Sequence, residues 1–206
     1  MVQPQKPDRD TQEVIDALGR SVAISGLSQA AFARAVGTSA PRMSTYLRGA
    51  TRPSAWFCAR ANRLAKALAD ADERRLMSAP ETATDIRRAL RAGKRAWAWR
   101  MLLQGRDHLR LMLTDTAYAD LDLTGSWEAV PGPTGDTGFD ALLAALASHE
   151  FEKAGHLAPE WTQIEPLDEE WQPPHPFLSP ERVVDRTPLW LRRLRIYVPE
   201  RDLATA

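Results

Sequence analysis

The stretch from Leu27 to Pro53, LSQAAFARAVGTSAPRMSTYLRGATRP, decides the predicted fold. Ser28 is a typical N-cap residue, and Phe32 and Val36 follow it at the spacing of a buried helical stripe. A helix is therefore predicted to begin after Ser28 and to end at Gly37, because glycine readily takes the left-handed conformation that ends helices.

A second short helix is predicted directly after this turn. Ser39 is its expected N-cap, and Pro41 is tolerated in its first turn because first-turn amides have no intrahelical partner. Gly49 is expected to end it. The side chains expected to be buried are Met43 and either Tyr46 or Leu47.

Longer helices are predicted on both sides of this pair. Thr11 is the expected cap of a helix that ends near Ser25 and Gly26, and Pro53 with Ser54 opens another over residues 55–69. Two short helices joined by a glycine-containing turn within such a bundle are typical of a helix-turn-helix, whose second helix enters the DNA major groove.

The charge is unevenly distributed along the chain. The 206 residues hold 27 Lys and Arg and 27 Asp and Glu, but residues 1–110 carry 20 basic against 10 acidic residues and residues 111–206 carry 7 against 17. No acid lies between Asp16 and Asp70, a stretch with eight basic residues. Such an electropositive module attracts polyanions, so nucleic acid is the expected partner.

The quoted stretch resembles the Cro/phage-repressor (XRE) helix-turn-helix family, and the resemblance covers residues 11–69. One departure is Leu47, where the family usually has an acidic residue; this surface is expected to pack against another element or a second protomer. The residues that carry the resemblance are Ser28 and Gln29, Ala33, Gly37, Ser39, Met43 and Ser44, Gly49 and Pro53.

Duplex DNA is expected to be bound by a homodimer, because two helix-turn-helix units one helical turn apart multiply affinity and read a palindromic site. The resemblance implies that Arg42 is the principal base reader, through paired hydrogen bonds to guanine. The other residues that it implies at base edges are Ala40, Pro41 and Thr45. The residues that it implies at phosphates are Gln29, Ser44, Arg48 and Arg52. Ser39 is assigned both capping and DNA contact, which are compatible roles.

The rest of the chain also reads as helical. The charged segment 70–80 predicts a helix end or linker, after which Thr84 and Asp85 lead into a helix that Gly93 interrupts. A second segment, over 94–113, completes a helical hairpin, and residues 138–155 read as one strongly amphipathic helix.

The last part is rich in Pro and Trp. Residues 160–178 are expected to form an ordered irregular loop, and Thr187 with Pro188 to cap a helix over 189–194. Residues 195–198 are a candidate short strand. The predicted fold is therefore mainly α, with a flexible N-terminus over 1–10, a helix-turn-helix bundle of four to five helices over 11–75, and a helical C-terminal domain over 80–206 with at most one or two short strands.

The C-terminal part faintly resembles regulators that are encoded beside toxins of the nucleotidyltransferase type. The similarity rests on WT at 161–162, TPLWL at 187–191 and IYVPERDL at 196–203. It implies an autoregulating antitoxin-like repressor whose acidic C-terminal domain binds a protein partner such as the toxin. The expected partner-binding residues are Trp161, Trp171 and Trp190.

Two other interpretations of the tryptophans stay open. In one, the protein is a ligand-sensing repressor with a small-molecule pocket that is lined by Trp127, Trp161 and Trp171. In the other, these tryptophans are ordinary core residues.

Several classes of protein are disfavoured by the sequence. The single cysteine, Cys58, forms no internal disulfide, and His149 lacks a second histidine four residues on, which a metalloprotease helix needs. We expect that the protein is not an enzyme and that it has no cofactor, metal, membrane span or signal peptide. The expected location is the cytoplasm.

Overall fold

The computed structural model describes residues 8–204, which are mostly helical and hold no β-strand beyond one isolated bridge. This confirms the mainly α prediction. None of the helices in this range is both long and apolar enough to cross a bilayer. The helices are α1 (Arg9–Ile24), α2 (Gln29–Ala35), α3 (Ala40–Leu47), α4 (Ala55–Glu73), α5 (Ala79–Arg91), α6 (Arg95–Thr114), α7 (Gly125–Glu128), α8 (Thr137–Lys153), α9 (Pro180–Arg186) and α10 (Leu189–Arg192).

The chain forms two compact units, which the sequence-based division at residue 80 anticipates only in part. The first unit comprises Met1–Pro80 with Leu121–Gly132, and the second comprises Glu81–Asp120 with Pro133–Ala206. The first unit thus contains α1 to α4 and, from much later in the chain, α7.

Serine caps start three helices of the first unit as predicted. Ser28, Ser39 and Ser54 accept hydrogen bonds from the backbone N–H three residues on, in α2, α3 and α4. The prediction for α1 was wrong, because Asp8 and not Thr11 is its cap. Of the flexible segment predicted over 1–10, residues 1–7 lie outside the described residues, and α1 already begins at Arg9.

One apolar core joins the helices of the first unit. Phe32 of α2, Met43 of α3 and Leu64 of α4 are fully buried in it. The ring of Tyr46 lies 5.1 Å from that of Phe57, in a tilted arrangement. Leu47 packs against the same core, so the apolar departure from the family pattern contacts the protein's own helices.

The segment 121–132 is fastened to this unit by several contacts. Trp127 is fully buried and donates an indole N–H to the carbonyl of Met77 at 2.8 Å. The N–H of Val130 donates to the carbonyl of Ala35 at 3.0 Å. Trp127 is therefore a core residue of the first unit, which removes it from the predicted pocket with Trp161 and Trp171.

The boundary between α4 and α5 differs from the prediction. Helix α4 continues to Glu73, and Arg75 takes a left-handed φ of 57° where the chain turns. Helix α5 then begins at Ala79, five residues before the predicted start at Thr84. Proline is accepted here because Pro80 lies in the first turn.

Helices α5 and α6 form the predicted hairpin. Gly93 lies between them with a φ of 68°. Gly105 of α6 packs against the side chain of Thr82, leaving no space for a Cβ atom. This close approach explains a glycine in the middle of a long helix.

Helix α8 is the central helix of the second unit, and the prediction that it is amphipathic was wrong. Every residue from Ala141 to Ala147 is buried, so the helix has no solvated face over two turns. Helix α6 packs against it. The buried Glu150 accepts two hydrogen bonds from Arg110, at 2.7 and 3.0 Å, which compensates the burial of its charge.

The last part of the chain is ordered and irregular, as predicted, but two details differ. Helix α9 was not predicted, and Thr187 does not cap α10, since its hydroxyl donates to the carbonyl of Val183. The candidate strand at 195–198 is reduced to one parallel bridge between Trp171 and Ile196. Backbone hydrogen bonds hold the segment there: the N–H of Trp171 donates to the carbonyl of Arg195, and the N–H of Tyr197 donates to the carbonyl of Trp171, both at 2.9 Å.

The packing of Gly138 against Trp171 predicts that one added methyl group in α8 destabilises the fold. In the variant Gly138→Ala, the new methyl group would overlap the indole ring of Trp171, which also packs edge-on against Phe139 at 5.6 Å. We expect this overpacking to lower the free energy of unfolding by about 1–3 kcal/mol in urea denaturation.

The matched control is Gly19→Ala in α1, where nothing lies within 4 Å of the added methyl group. That variant should raise the free energy of unfolding by about 0.5–1 kcal/mol, because alanine favours a helix interior. Equal effects of the two variants would contradict the packing of Trp171 described above.

Candidate nucleic-acid interface

A tight turn places α3 directly after α2. Gly37 takes a left-handed φ of 81°, and the N–H of Thr38 donates to the carbonyl of Ala33 at 2.8 Å. One residue later Ser39 starts α3. The turn and both helices therefore have the geometry of a helix-turn-helix.

Helix α3 divides into a buried and an accessible face. Met43 and Tyr46 are buried, whereas Arg42 and Arg48 are exposed. None of the nine residues predicted to contact DNA is buried. Two of them, Ser44 and Thr45, are half-buried. The other seven are exposed: Gln29, Ser39, Ala40, Pro41, Arg42, Arg48 and Arg52. Accessibility is required for contact, and the contacts themselves stay predictions.

The guanidinium of Arg42 is oriented by a residue of the core. Its Nε donates to the hydroxyl of Tyr46 at 2.8 Å, and its central carbon lies 5.8 Å from the centroid of the Tyr46 ring. Among residues 8–204, neither Nη atom has a hydrogen-bond partner. Both Nη groups, with four N–H donors between them, therefore remain for a base or a phosphate.

The sequence predicts Tyr46 only as a candidate core residue, and its contact with Arg42 is a finding of the structure. The available signal is the spacing of Arg42 and Tyr46, since side chains four residues apart meet on a helix surface. A buried ring with its hydroxyl at the surface can fix an arginine without losing its own packing.

The other polar residues of α3 are partly engaged by the backbone. The hydroxyl of Thr45 donates to the carbonyl of Arg42 at 2.8 Å, so only its lone pairs and its methyl group are left for DNA. Nε of Arg48 donates to the carbonyl of Ser44 at 3.3 Å.

Arg52 has an acidic partner close to the candidate interface. Its Nη2 donates to the carboxylate of Asp8 at 2.8 Å, and the same carboxylate caps α1 by accepting from Thr11. The backbone N–H of Thr11, together with the Thr11 hydroxyl and the charge of Arg52, holds the pKa of Asp8 below its ordinary value. The sequence predicts Thr11 as the cap of α1 and gives no signal for Asp8 as a site residue.

Several basic residues of the acid-free stretch keep their charge uncompensated. Arg63 is bonded through two nitrogens to Glu128, at 2.7 and 3.0 Å, and this contact raises the pKa of Arg63. Lys66 pairs with Asp70. The basic residues of this stretch for which the described residues 8–204 provide no ion pair are Arg20, Arg34, Arg42, Arg48 and Arg60.

Counted by structural unit, the charge is far less separated than the two halves of the sequence suggest. The first unit carries 12 Lys and Arg against 9 Asp and Glu, and the second carries 15 against 18. The second unit is acidic, as expected of the C-terminal domain, but its net charge is −3, whereas residues 111–206 carry −10. Residues 81–110 bring eight basic and three acidic residues into the second unit, and Asp122 and Glu128 belong to the first unit.

The three tryptophans predicted to bind a partner are all half-buried in the second unit. Trp171 packs against Phe139 and Gly138. The ring of Trp190 stacks on that of His149 with centroids 4.4 Å apart, and burial lowers the pKa of His149. Both rings therefore contribute to the protein's own packing, whatever else they contact.

No group of three or more His, Cys, Asp or Glu residues that could hold a metal ion occurs in the described part of the chain.

Comparison with protein families supports the first unit as a DNA-binding module. A family model described as a helix-turn-helix domain, of the XRE-like type, matches residues 11–77. The match extends the predicted range of 11–69 to the end of α4 and the turn after it. No curated protein and no solved structure matches the chain.

The ion pair between Asp8 and Arg52 predicts that the negative charge of Asp8 lowers the affinity for DNA. In Asp8→Asn, the side chain can still cap α1 but no longer neutralises Arg52. We expect tighter binding to non-specific duplex DNA, with a plot of log affinity against log salt concentration that is steeper by about one unit. Fluorescence anisotropy over a salt series measures both.

Asp8→Ala separates the charge from the cap. It should tighten DNA binding equally but also lower thermal stability, because alanine cannot cap α1. Since the folded-state pKa of Asp8 is lowered, this stabilisation is present at neutral pH and is lost as the pH falls through that pKa. Unchanged salt dependence in both variants would contradict the proximity of Arg52 to phosphates.

Proposed function

We propose that the protein is a sequence-specific DNA-binding transcriptional repressor that inserts α3 into the major groove. Regulation and not catalysis is its proposed activity, and the cytoplasm is its proposed location. Arg42 is the proposed base reader, with Ala40, Pro41 and Thr45 beside it.

One observation carries this proposal. The exposed Arg42 projects from the second helix of a helix-turn-helix, and the hydroxyl of Tyr46 orients it while both of its Nη groups stay available. A guanidinium held in one orientation loses little rotamer freedom when it forms paired hydrogen bonds with guanine O6 and N7. The uncompensated Arg34, Arg48 and Arg60 add attraction to the phosphates.

A homodimer is part of the proposal. Two copies of α3 about one helical turn apart would read the two halves of a palindromic site, which multiplies affinity. The first unit exposes large apolar side chains that a second copy could cover, namely Ile24 at 49% and Trp56 at 69% exposure.

Two arginine variants test the proposed division between reading and positioning. The preferred site is first selected from a random duplex library, and it should be palindromic. Arg42→Ala should then lose about 1–3 kcal/mol of discrimination at one base pair of each half-site. Arg48→Ala should weaken all sequences about equally and lower the salt slope by about one.

Two further variants complete the test: Tyr46→Phe alters the same site, and Arg88→Ala is the control. Tyr46→Phe keeps the packed ring but removes the hydroxyl that orients Arg42, so discrimination should fall part of the way towards that of Arg42→Ala. Arg88 is an exposed arginine of the second unit that pairs with Asp85, and its removal should change neither property. Unaltered specificity in both Arg42→Ala and Tyr46→Phe would overturn the assignment of Arg42.

For the second unit we propose a protein-binding role, in an autoregulating, antitoxin-like repressor. The support is a set of large apolar side chains that this unit exposes to solvent. They are Leu157 at 93%, Phe177 at 83% and Leu189 at 63% exposure. Exposed apolar residues of this size are typical of surfaces that another protein covers.

Tagged full-length protein, recovered from its native cells with nuclease present, tests this role. We expect one stoichiometric protein partner, whose recovery is lost in Leu157→Ser combined with Leu189→Ser, while DNA binding is retained. A reporter fused to the gene's own promoter should be repressed by the wild-type protein and released in Arg42→Ala. Absence of any partner would contradict the antitoxin-like role, but it would not contradict the proposed repressor function.

A second candidate role for this unit is the sensing of a small molecule. The observation that favours it is a cavity of about 690 Å³ within the second unit, a volume in the range of ligand sites. None of the three predicted residues, Trp127, Trp161 and Trp171, lines it, so it is not the pocket predicted from the tryptophans.

A further inference from the structure

The second unit contains an apolar groove whose lining combines buried and charged residues. The groove lies between the first turns of α6, the proline-rich segment 173–177 and the segment 198–204. Its most buried lining residues are Leu103, Phe139 and Val198. Its volume of about 690 Å³ exceeds that of a few waters and suits a small organic molecule.

One wall of the groove is held rigidly by His175. Its Nδ1 accepts from the N–H groups of Phe177 and Leu178, at 3.0 and 2.9 Å, so Nε2 carries the proton. Nε2 lies 3.0 Å from the carboxylate of Asp202. The imidazole thus connects the proline-rich segment to the end of the chain, and the groove is formed before any ligand arrives.

Prolines stiffen the same wall. Pro173, Pro174 and Pro176 line the groove beside His175, and Pro199 lines the opposite segment. Each has a restricted φ, so less backbone freedom remains to be lost on binding. The exposed ring of Phe177, at the same wall, offers apolar area that a ligand would cover.

The exposed lining of the groove has an excess of positive charge. Arg95 pairs with Asp136 at 3.0 Å, and Arg201 lies 3.4 Å from Asp202. Arg100 has no acidic partner within residues 8–204; its central carbon lies 6.0 Å from the centroid of the Trp97 ring. One guanidinium therefore remains uncompensated beside an apolar cavity.

We infer that this groove binds a small organic monocarboxylate with an aromatic or branched apolar body. The apolar body lies against Leu103, Phe139 and Trp99, and the carboxylate is paired by Arg100. A planar guanidinium matches a carboxylate through two parallel hydrogen bonds, and one uncompensated cation matches one negative charge. An organic cation is disfavoured by the three arginines of the lining.

This inference deepens the ligand-sensing candidate and rests on the groove alone. Its residues all belong to the second unit, so loss of DNA binding in Arg42→Ala would leave it intact. Conversely, failure of ligand binding would leave the helix-turn-helix function untouched.

Isothermal titration calorimetry on the full-length protein tests it with three probes that share one aromatic body: 2-naphthoate, 2-naphthamide and 2-naphthylmethylammonium. We expect 2-naphthoate to bind with a dissociation constant below about 1 mM. The neutral amide should bind at least about tenfold more weakly, and the cation should not bind.

Two variants and a control locate the site. Arg100→Gln should weaken 2-naphthoate about tenfold or more while changing the amide little, because it removes the charge-assisted pair. Ala96→Trp fills the groove from an exposed position of α6 and should abolish binding of both probes. Arg182→Ala, an exposed arginine of α9 outside the groove, should bind as the wild type does.

The inference is overturned if the amide binds as tightly as the carboxylate, if Ala96→Trp leaves binding unchanged, or if no probe binds. Preferred binding of the cation would equally refute it and would assign the groove to a basic or apolar partner segment. Adding 2-naphthoate to the DNA-binding assay then shows whether occupancy of the groove changes operator affinity.

Discussion

The left-handed turn at Gly37 is the constraint on which the first unit depends. A φ of 81° is accessible to glycine without strain, and it lets α3 begin two residues after the turn. This reversal places Phe32 and Met43 in the same core while Arg42 remains outside it. Burial of the apolar faces of both helices then holds the accessible face of α3 at a defined orientation.

The electrostatics of this unit depend on residues distant in sequence. Glu128 of α7 neutralises Arg63, and Asp8 neutralises part of the charge of Arg52. Lys66 also pairs with Asp70, so five arginines between Asp16 and Asp70 stay uncompensated among the described residues, and two of them lie on or at the end of α3. Attraction to phosphates is long-ranged and weakly directional, whereas the Arg42–Tyr46 contact supplies direction at one position.

The second unit is organised around a helix whose two central turns have no solvated face. Because α8 is buried along its centre, its neighbours must cover it on several sides, and the irregular C-terminal segment supplies part of that cover through Trp171 and Trp190. The C-terminal segment does not cover Phe139 completely, and the groove described above lies beside this residue. A ligand site at the edge of a core is a common consequence of such incomplete packing.

The sequence by itself determined the local features of this protein. The serine caps at Ser28, Ser39 and Ser54, the glycine at position 37 and the helical spacing of apolar residues predicted α2, α3 and α4, because caps, turns and periodicity act within a few residues. The accessible residues of α3 follow from the same spacing once the buried stripe is known.

Only the tertiary structure decided which distant segments pack together. It assigned residues 121–132 to the first unit, reduced the charge difference between the domains, and paired Asp8 with Arg52. It also formed the groove from three separate segments. These outcomes depend on burial and ion pairing between residues far apart in the chain, and local propensity contains no information about either.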